Sequence, residues 1–404
     1  PEAGTMNQIL KHYWGIFGLF LGSLVLAGDL PGEFFGEVSF ETRGYLERGA
    51  HGNTGQGDFS IVLQPEYVLA WEEDRKVVSF EPFIRLSSLD EERTHADIRE
   101  LSFVGSWDLF ELRLGISKVF WGVTESQHLV DVINQTDLVE SPDGEDKLGQ
   151  PMINFVFVNE YGNFEVFFLP YFRERTFSSY DGRFRTNLSV DTDSPIYLDR
   201  DEESHLDGAI RWSHYWGGFD WAISYFEGTD REPAFKANVS GTKLIPIYGQ
   251  SKQVSVELQY VVGDWLLKSE VLSKDSDQIR NYWAMVAGFE YTFANYYQGM
   301  DIGMLYEYLY DDRGDSAGSG LDEASFVGSR IALNDEKSLE FLVGGIFEHE
   351  TGKLSNAFLE SSRRIDENWK WTVEGSFFVK PKSGSFLEKI KGDDYLQTSL
   401  SYFW

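Results

Sequence analysis

The chain has 404 residues, no cysteine, and a formal charge of −31 from 66 acidic and 35 basic residues. That charge argues against nucleic acid and anionic lipid surfaces as partners, because both are bound through basic stripes. The missing cysteines exclude disulfides, thiol catalysis, Cys-zinc sites and a lipidated N-terminal cysteine.

Residues 1–27 read as upstream residues followed by a secretory signal peptide. Met6 is the expected start, Lys11 and His12 form a weakly basic region, Tyr13–Leu26 is apolar, and Val25-Leu26-Ala27 offers a cleavage site before Gly28. Residues 28–404 read as one domain. No later stretch approaches the ~20 continuous apolar residues of a spanning helix. Aromatic content is nevertheless 16% at a mean hydropathy of −0.32, which suits a wall with two chemically opposite faces. A membrane protein without membrane helices must be a closed barrel.

The alternation of apolar and polar residues predicts about 18 strands. In chain order they cover Phe34–Leu46, Phe59–Trp71, Val77–Leu86, Ile98–Val104, Phe110–Phe120, Ile153–Val158, Phe164–Phe172, Leu206–Tyr215 and Phe219–Phe226. The second half adds Val254–Val262, Trp265–Leu272, Trp283–Phe293, Met300–Tyr310, Phe326–Leu333, Leu339–Phe347, Leu354–Arg364, Trp369–Val379 and Leu396–Trp404. Leu354–Arg364 has the weakest pattern; without it the count falls to about 16. Tight turns alternate with longer connections, as in a barrel with periplasmic turns and extracellular loops. The expected fold is an all-β, single antiparallel transmembrane barrel.

In such a barrel the polar face of each strand points into the lumen. The pore-lining candidates are Glu41, Arg43, Glu66, Arg85, Glu111, Arg113, Arg211, Glu257, Glu307, Arg330 and Glu374. Acids outnumber bases across the inward faces, which points to a cation preference or tolerance of neutral solutes. The connections 121–150 and 173–204 are long enough to fold inward. The acids Asp191, Asp193, Asp199, Asp201, Glu202 and Glu203 in the second supply oxygens that Ca²⁺ would accept, although their spacing does not match an EF-hand. No other metal and no cofactor is expected.

No H-E-x-x-H, G-x-S-x-G, P-loop or dinucleotide motif occurs. His205 and His214 flank one strand and His349 lies at a strand end. His214 beside Ser213 and Ser224 is the sort of pairing a barrel enzyme would need, but in so serine-rich a chain it carries little weight. The expectation is a non-enzyme.

The last strand carries Leu396, Leu400, Tyr402 and Trp404 on one face and Gln397, Ser399 and Ser401 on the other. This ending resembles the C-terminal signal of Gram-negative outer-membrane β-barrels. The resemblance implies that Leu400, Tyr402 and Trp404 are read by the barrel-assembly machinery. A second stretch runs Leu112-Arg113-Leu114-Gly115, then Trp121-Gly122, then Asp131-Val132-Ile133-Asn134-Gln135-Thr136-Asp137-Leu138. It resembles an element of a poorly characterised proteobacterial outer-membrane barrel family, in which a strand ending in Trp-Gly leads into an Asn-containing loop. Trp121, Asp131, Asn134 and Asp137 are therefore constriction-loop candidates, since glycines allow close backbone approach and Asn and Asp suit ordered turns.

The expected function is passive diffusion of small hydrophilic solutes through a charged outer-membrane channel. The alternatives are an export conduit for a polysaccharide or lipid product, and a barrel enzyme in which a His and a nucleophile meet at the lipid interface. The expected partners are outer-membrane lipid and lipopolysaccharide, the assembly machinery and the solute.

Overall fold

The computed structural model describes residues 31–51, 55–314, 317 and 321–404. The expected signal peptide lies outside the described residues.

An antiparallel sheet of 18 strands closes on itself. Its first half is β1 (Glu33–Tyr45), β2 (Gly57–Trp71), β3 (Lys76–Ser87), β4 (His95–Ser106), β5 (Phe110–Ser117), β6 (Gln150–Asn159), β7 (Gly162–Leu169), β10 (Asp207–Trp216) and β11 (Phe219–Thr229). Its second half is β14 (Gln250–Val262), β15 (Trp265–Ser276), β16 (Tyr282–Phe293), β17 (Asp301–Asp311), β18 (Glu323–Ala332), β19 (Glu340–Glu348), β20 (Lys353–Arg364), β21 (Trp369–Phe378) and β22 (Tyr395–Phe403). Closure comes from β1 pairing β22, with Ser39 opposite Ser401 and Phe40 opposite Leu400. Closure satisfies every edge, which an apolar surround requires. The weakly patterned segment at 354–364 is a full strand, paired on both sides.

Directly paired residues share a face, so the registers fix which side chains point inward. Ser39, Val62, Arg85 and His95 lie on one inward row across β1–β4. The outward rows are apolar, as in Phe110, Leu112, Leu114 and Ile116 on β5. Aromatic pairs ring the short-turn end: Trp71 with Phe103, Phe164 with Trp212, Trp265 with Tyr291, and Trp369 with Tyr402. Both ends of the barrel sheet, at Glu33 and Phe403, lie at this end. A bulge beside Arg99 and Glu100 adds one residue to β4. The extra residue lets both side chains work on the lumen side, Arg99 towards Asp137 and Glu100 towards Ser117.

Two expectations fail in detail. The strand from Phe110 stops at Ser117, because the chain then turns into the lumen rather than continuing along the wall. The connection expected at 173–204, and the one after the strand ending at Phe226, are not plain loops. They share a small sheet of β8 (Ser189–Val190), β9 (Ile196–Tyr197), β12 (Ala234–Ala237) and β13 (Lys243–Tyr248) at the long-loop end. Leu244, Ile245 and Ile247 on β13 supply the strand-forming residues. No described helix is long and apolar enough to cross a membrane.

Candidate functional site

The segment 118–149 leaves β5, crosses the barrel interior and returns to β6. Its entry depends on two glycines. Gly115 has φ +124°, and a Cβ there would lie 2.1 Å from the Leu101 carbonyl oxygen. Gly122 has φ +143°, and a Cβ there would crowd the Glu270 carboxylate at 3.0 Å. Asn134 ties entry to exit. Its side chain accepts from Val119 N–H at 3.0 Å and donates to the carbonyls of Ser117 and Leu148, each at 2.9 Å. Asp131 accepts from Trp121 N–H at 3.3 Å and pairs with Lys147 at 3.2 Å.

The loop is fixed to the wall all round its path. Trp121 packs edge-on against Phe167 at 5.6 Å, in a dry cluster with Val130, Ile133, Met152, Leu169 and Phe226. Arg231 donates to the carbonyls of Val132 and Ile133, each at 3.2 Å. At the tip, Glu270 on β15 accepts from the N–H groups of Val123 (2.7 Å) and Thr124 (3.0 Å) and from the Thr124 hydroxyl (2.7 Å). Glu307 on β17 accepts from Glu125 N–H and Ser126 N–H, each at 2.8 Å, and faces Lys268 at 3.4 Å. Leu129 packs on the apolar inward patch of Val286, Leu305, Leu309, Phe326 and Ile346. Arg330 reaches Glu125 at 2.8 Å.

On the opposite side the loop meets a wall of arginines. Arg85 on β3 binds both Glu41 and Glu140, the latter at 2.6 Å. Arg93 donates to the Val139 carbonyl at 3.0 Å and pairs with Asp58 at 2.8 Å. Arg99 pairs with Asp137 at 2.7 Å, and Thr176 donates to the same carboxylate at 2.7 Å. Burial pushes the Asp137 carboxyl up, but His95 and Arg99 outweigh it and hold it at about 2. His95, Asp137 and Glu140 bring ligand atoms within 4.8 Å of one another, the one such grouping among the described residues. Arg99 and Arg85 already occupy those carboxylates, so the set serves as an ion-pair network. The acidic run of Asp191 to Glu203 forms no such grouping among the described residues.

The loop thus divides the interior. On one side, apolar side chains of β6, β7, β10, β11 and β15–β19 pack against it. Beside it, a polar cavity runs between the loop and β1–β4 with β21 and β22. Glu37, Glu41, Arg43, Arg85, Glu374 and Gln397 line it from the wall, and Ser141, Glu145, Asp146 and Lys147 from the loop. Burial within the walled lumen, then the neighbouring Asp143 and Glu360, push Glu145 up to about 7. Burial, then Glu140 and Asp143, does the same to Asp146. Both residues are exposed to the cavity, which screens the repulsion from their neighbours. Above the cavity, Arg183 joins three connections. It pairs with Asp393 at 2.6 Å and donates to the carbonyls of Glu47 (3.1 Å) and Gly55 (3.2 Å).

The registers place all eleven pore-lining candidates on the inward face, but they do not share one role. Glu41, Arg43, Arg85 and Glu374 border the cavity. Glu66 lies on the same inward row as Gln64, and Glu111 pairs with Arg113 at 4.0 Å near the turn end. Glu257, Glu307 and Arg211 are inward but take part in ion pairs and hydrogen bonds beside the loop. Glu307 is fully buried, and Arg211 sits between Glu165 and Glu257 under the Trp121 ring. Glu307 holds the loop directly, and Arg211, braced by Glu257, supports it through Trp121. Trp121, Asp131, Asn134 and Asp137 do belong to an inward loop, but they are its buried frame. Its cavity edge is Ser141, Glu145, Asp146 and Lys147, which no sequence motif marks. His214 points outward and Ser213 inward, so the pairing considered for them does not form.

No protein-family model matches the chain, and no curated protein matches it. Solved structures with a similar fold include OmpT, an outer membrane protein of Vibrio cholerae, in its trimer form, at 10% identity, covering 93% of this chain and 100% of that one with a TM-score of 0.45. A triple mutant of Rhodopseudomonas blastica porin matches at 9% identity, covering 92% of this chain and 100% of that one, also with a TM-score of 0.45. A structure described as showing asymmetric conductivity of engineered proteins matches at 9% identity over 92% of this chain and 100% of that one, with a TM-score of 0.46.

Proposed function

We propose that the protein is an outer-membrane channel for passive diffusion of small hydrophilic solutes, narrowed by the inward loop at 118–149. One observation carries this reading. The loop is anchored on opposite walls, by Glu270 and Glu307 on one side and by Arg85 and Arg99 on the other. A fixed loop leaves a polar passage of constant shape beside it. Acids from the loop face arginines on β1, β3 and β4 across that passage, a transverse arrangement that orients dipolar solutes and selects by charge. The surplus of acids favours cations and neutral solutes.

The test is permeation into proteoliposomes carrying the refolded chain. Amino acids and small sugars should enter, with cationic amino acids faster than anionic ones of the same size. Exclusion of all of them would contradict the proposal. It would favour the export reading, in which an inner-membrane partner must open the path.

A further inference from the structure

The outer wall of the barrel carries a second constellation, remote from the lumen. Ser325 is on β18, and odd-numbered residues of that strand face outward. Its Oγ lies 2.8 Å from Nε2 of His349, the residue that follows β19. Nδ1 of the same ring lies 3.3 Å from Oε1 of Glu323. The His349 backbone N–H donates to the Glu323 carbonyl at 3.0 Å, which holds acid and imidazole in register. Two tyrosines of β17 complete the group. The Tyr308 hydroxyl donates to Glu323 Oε1 at 3.0 Å, and the Tyr306 hydroxyl lies 3.1 Å from Ser325 Oγ.

The order hydroxyl, imidazole, carboxylate is that of an activated serine nucleophile. The acid fixes the ring so that Nδ1 donates to it and Nε2 is left to take the serine proton. The depth of the group identifies its substrate. Glu323, Ser325 and His349 lie at the long-loop end of the wall, level with Tyr308, Tyr310 and Trp283. The last two rings lie 4.7 Å apart. Tyrosine and tryptophan collect where hydrocarbon meets headgroups. Ester bonds of membrane lipids lie at that boundary, and both Glu323 and His349 are open to the surround.

We propose that Ser325, His349 and Glu323 form an acyl-ester hydrolase site acting on lipid in the membrane around the barrel. Ser325 Oγ attacks the ester carbonyl as its proton passes to His349 Nε2. The carbonyl oxygen becomes an oxyanion, towards which the Tyr306 hydroxyl is the neighbouring side-chain donor. The tetrahedral adduct collapses, the alcohol leaves with the proton from His349, and the acyl group stays on Ser325. Water then gives a proton to His349 and attacks the acyl-serine. The fatty acid departs and Ser325 recovers its proton. Glu323 is a positioning residue. The site is independent of the channel.

The experiment uses the full refolded chain in detergent micelles, exposed to a fluorophosphonate probe, followed by phosphatidylethanolamine vesicles and lipopolysaccharide as separate substrates. The expected result is a covalent label on Ser325, fatty acid released from at least one substrate, and loss of both in S325A and H349A. The fall should be on the order of 10⁴–10⁶-fold. E323Q should lower kcat and leave KM unchanged, which a merely structural role would not do. All three variants should keep heat-modifiable migration and the parent's conductance, which separates loss of chemistry from loss of fold. A folded wild type that takes no label, labels at another serine, or releases fatty acid no faster than S325A would overturn the proposal.

Discussion

Glu270 shows how one carboxylate holds an inward loop to a barrel wall. It sits on a strand face that alternation marks as lumenal, yet its oxygens are spent on the backbone of a segment nearly 150 positions earlier. Hydrogen bonds to a charged acceptor contribute about 1.5–3 kcal/mol each. A Glu-to-Gln change presents an amide N–H₂ to the loop's own donors. The E270Q/E307Q pair should therefore release the tip, and single-channel recordings should show larger, noisier steps than those of the parent. Glu145 and Asp146 give a second prediction at this scale. Their carboxyls, held near 7, are neutral in acid and charged above that value. Cation preference should rise as pH goes from about 5.5 to 8.5, measured as a reversal potential. E145Q/D146N should flatten that rise. Asp137, held at about 2, stays ionised throughout, so its bond to Arg99 persists and the loop does not move over this range.

At the scale of elements, the inward loop and the arginine wall are one unit. Arg85 is buried between Glu41 and Glu140. Removing one partner of a buried ion pair costs about 3–5 kcal/mol, because the others are left uncompensated. R85A should lower the denaturant midpoint of the heat-modifiable form, while R85A/E41Q/E140Q should recover part of the loss. The strands were legible from period-two alternation and turn residues, including the weak one at 354–364, because each must place apolar side chains against lipid. The small sheet of β8, β9, β12 and β13 was not legible. Its strands are two to six residues long, too short for alternation to register. The loop's inward course was signalled by Gly115, Gly122 and Asn134. Its landing points were not, since Glu270 and Glu307 look in sequence like any other lumenal acid. The meeting of Ser325, His349 and Glu323 was equally hidden, because it depends on the register of β18 with β19.

At the scale of the molecule, the barrel interior is part apolar packing and part polar cavity. One side of the interior is packed dry by Trp121, Val130, Ile133 and Leu129 against β6–β11 and β15–β19. The other is a polar cavity lined by charged side chains between the loop and β1–β4. Excising the tip, residues 123–130, should leave a folded barrel with higher conductance, because closure rests on strand pairing and not on the loop. The most direct test of the loop-narrowed channel is single-channel conductance of the refolded protein in a planar bilayer under a salt gradient. Steady, cation-preferring steps are predicted, widened by E270Q/E307Q. A protein that folds, migrates in a heat-modifiable way and conducts nothing in either form would contradict the account.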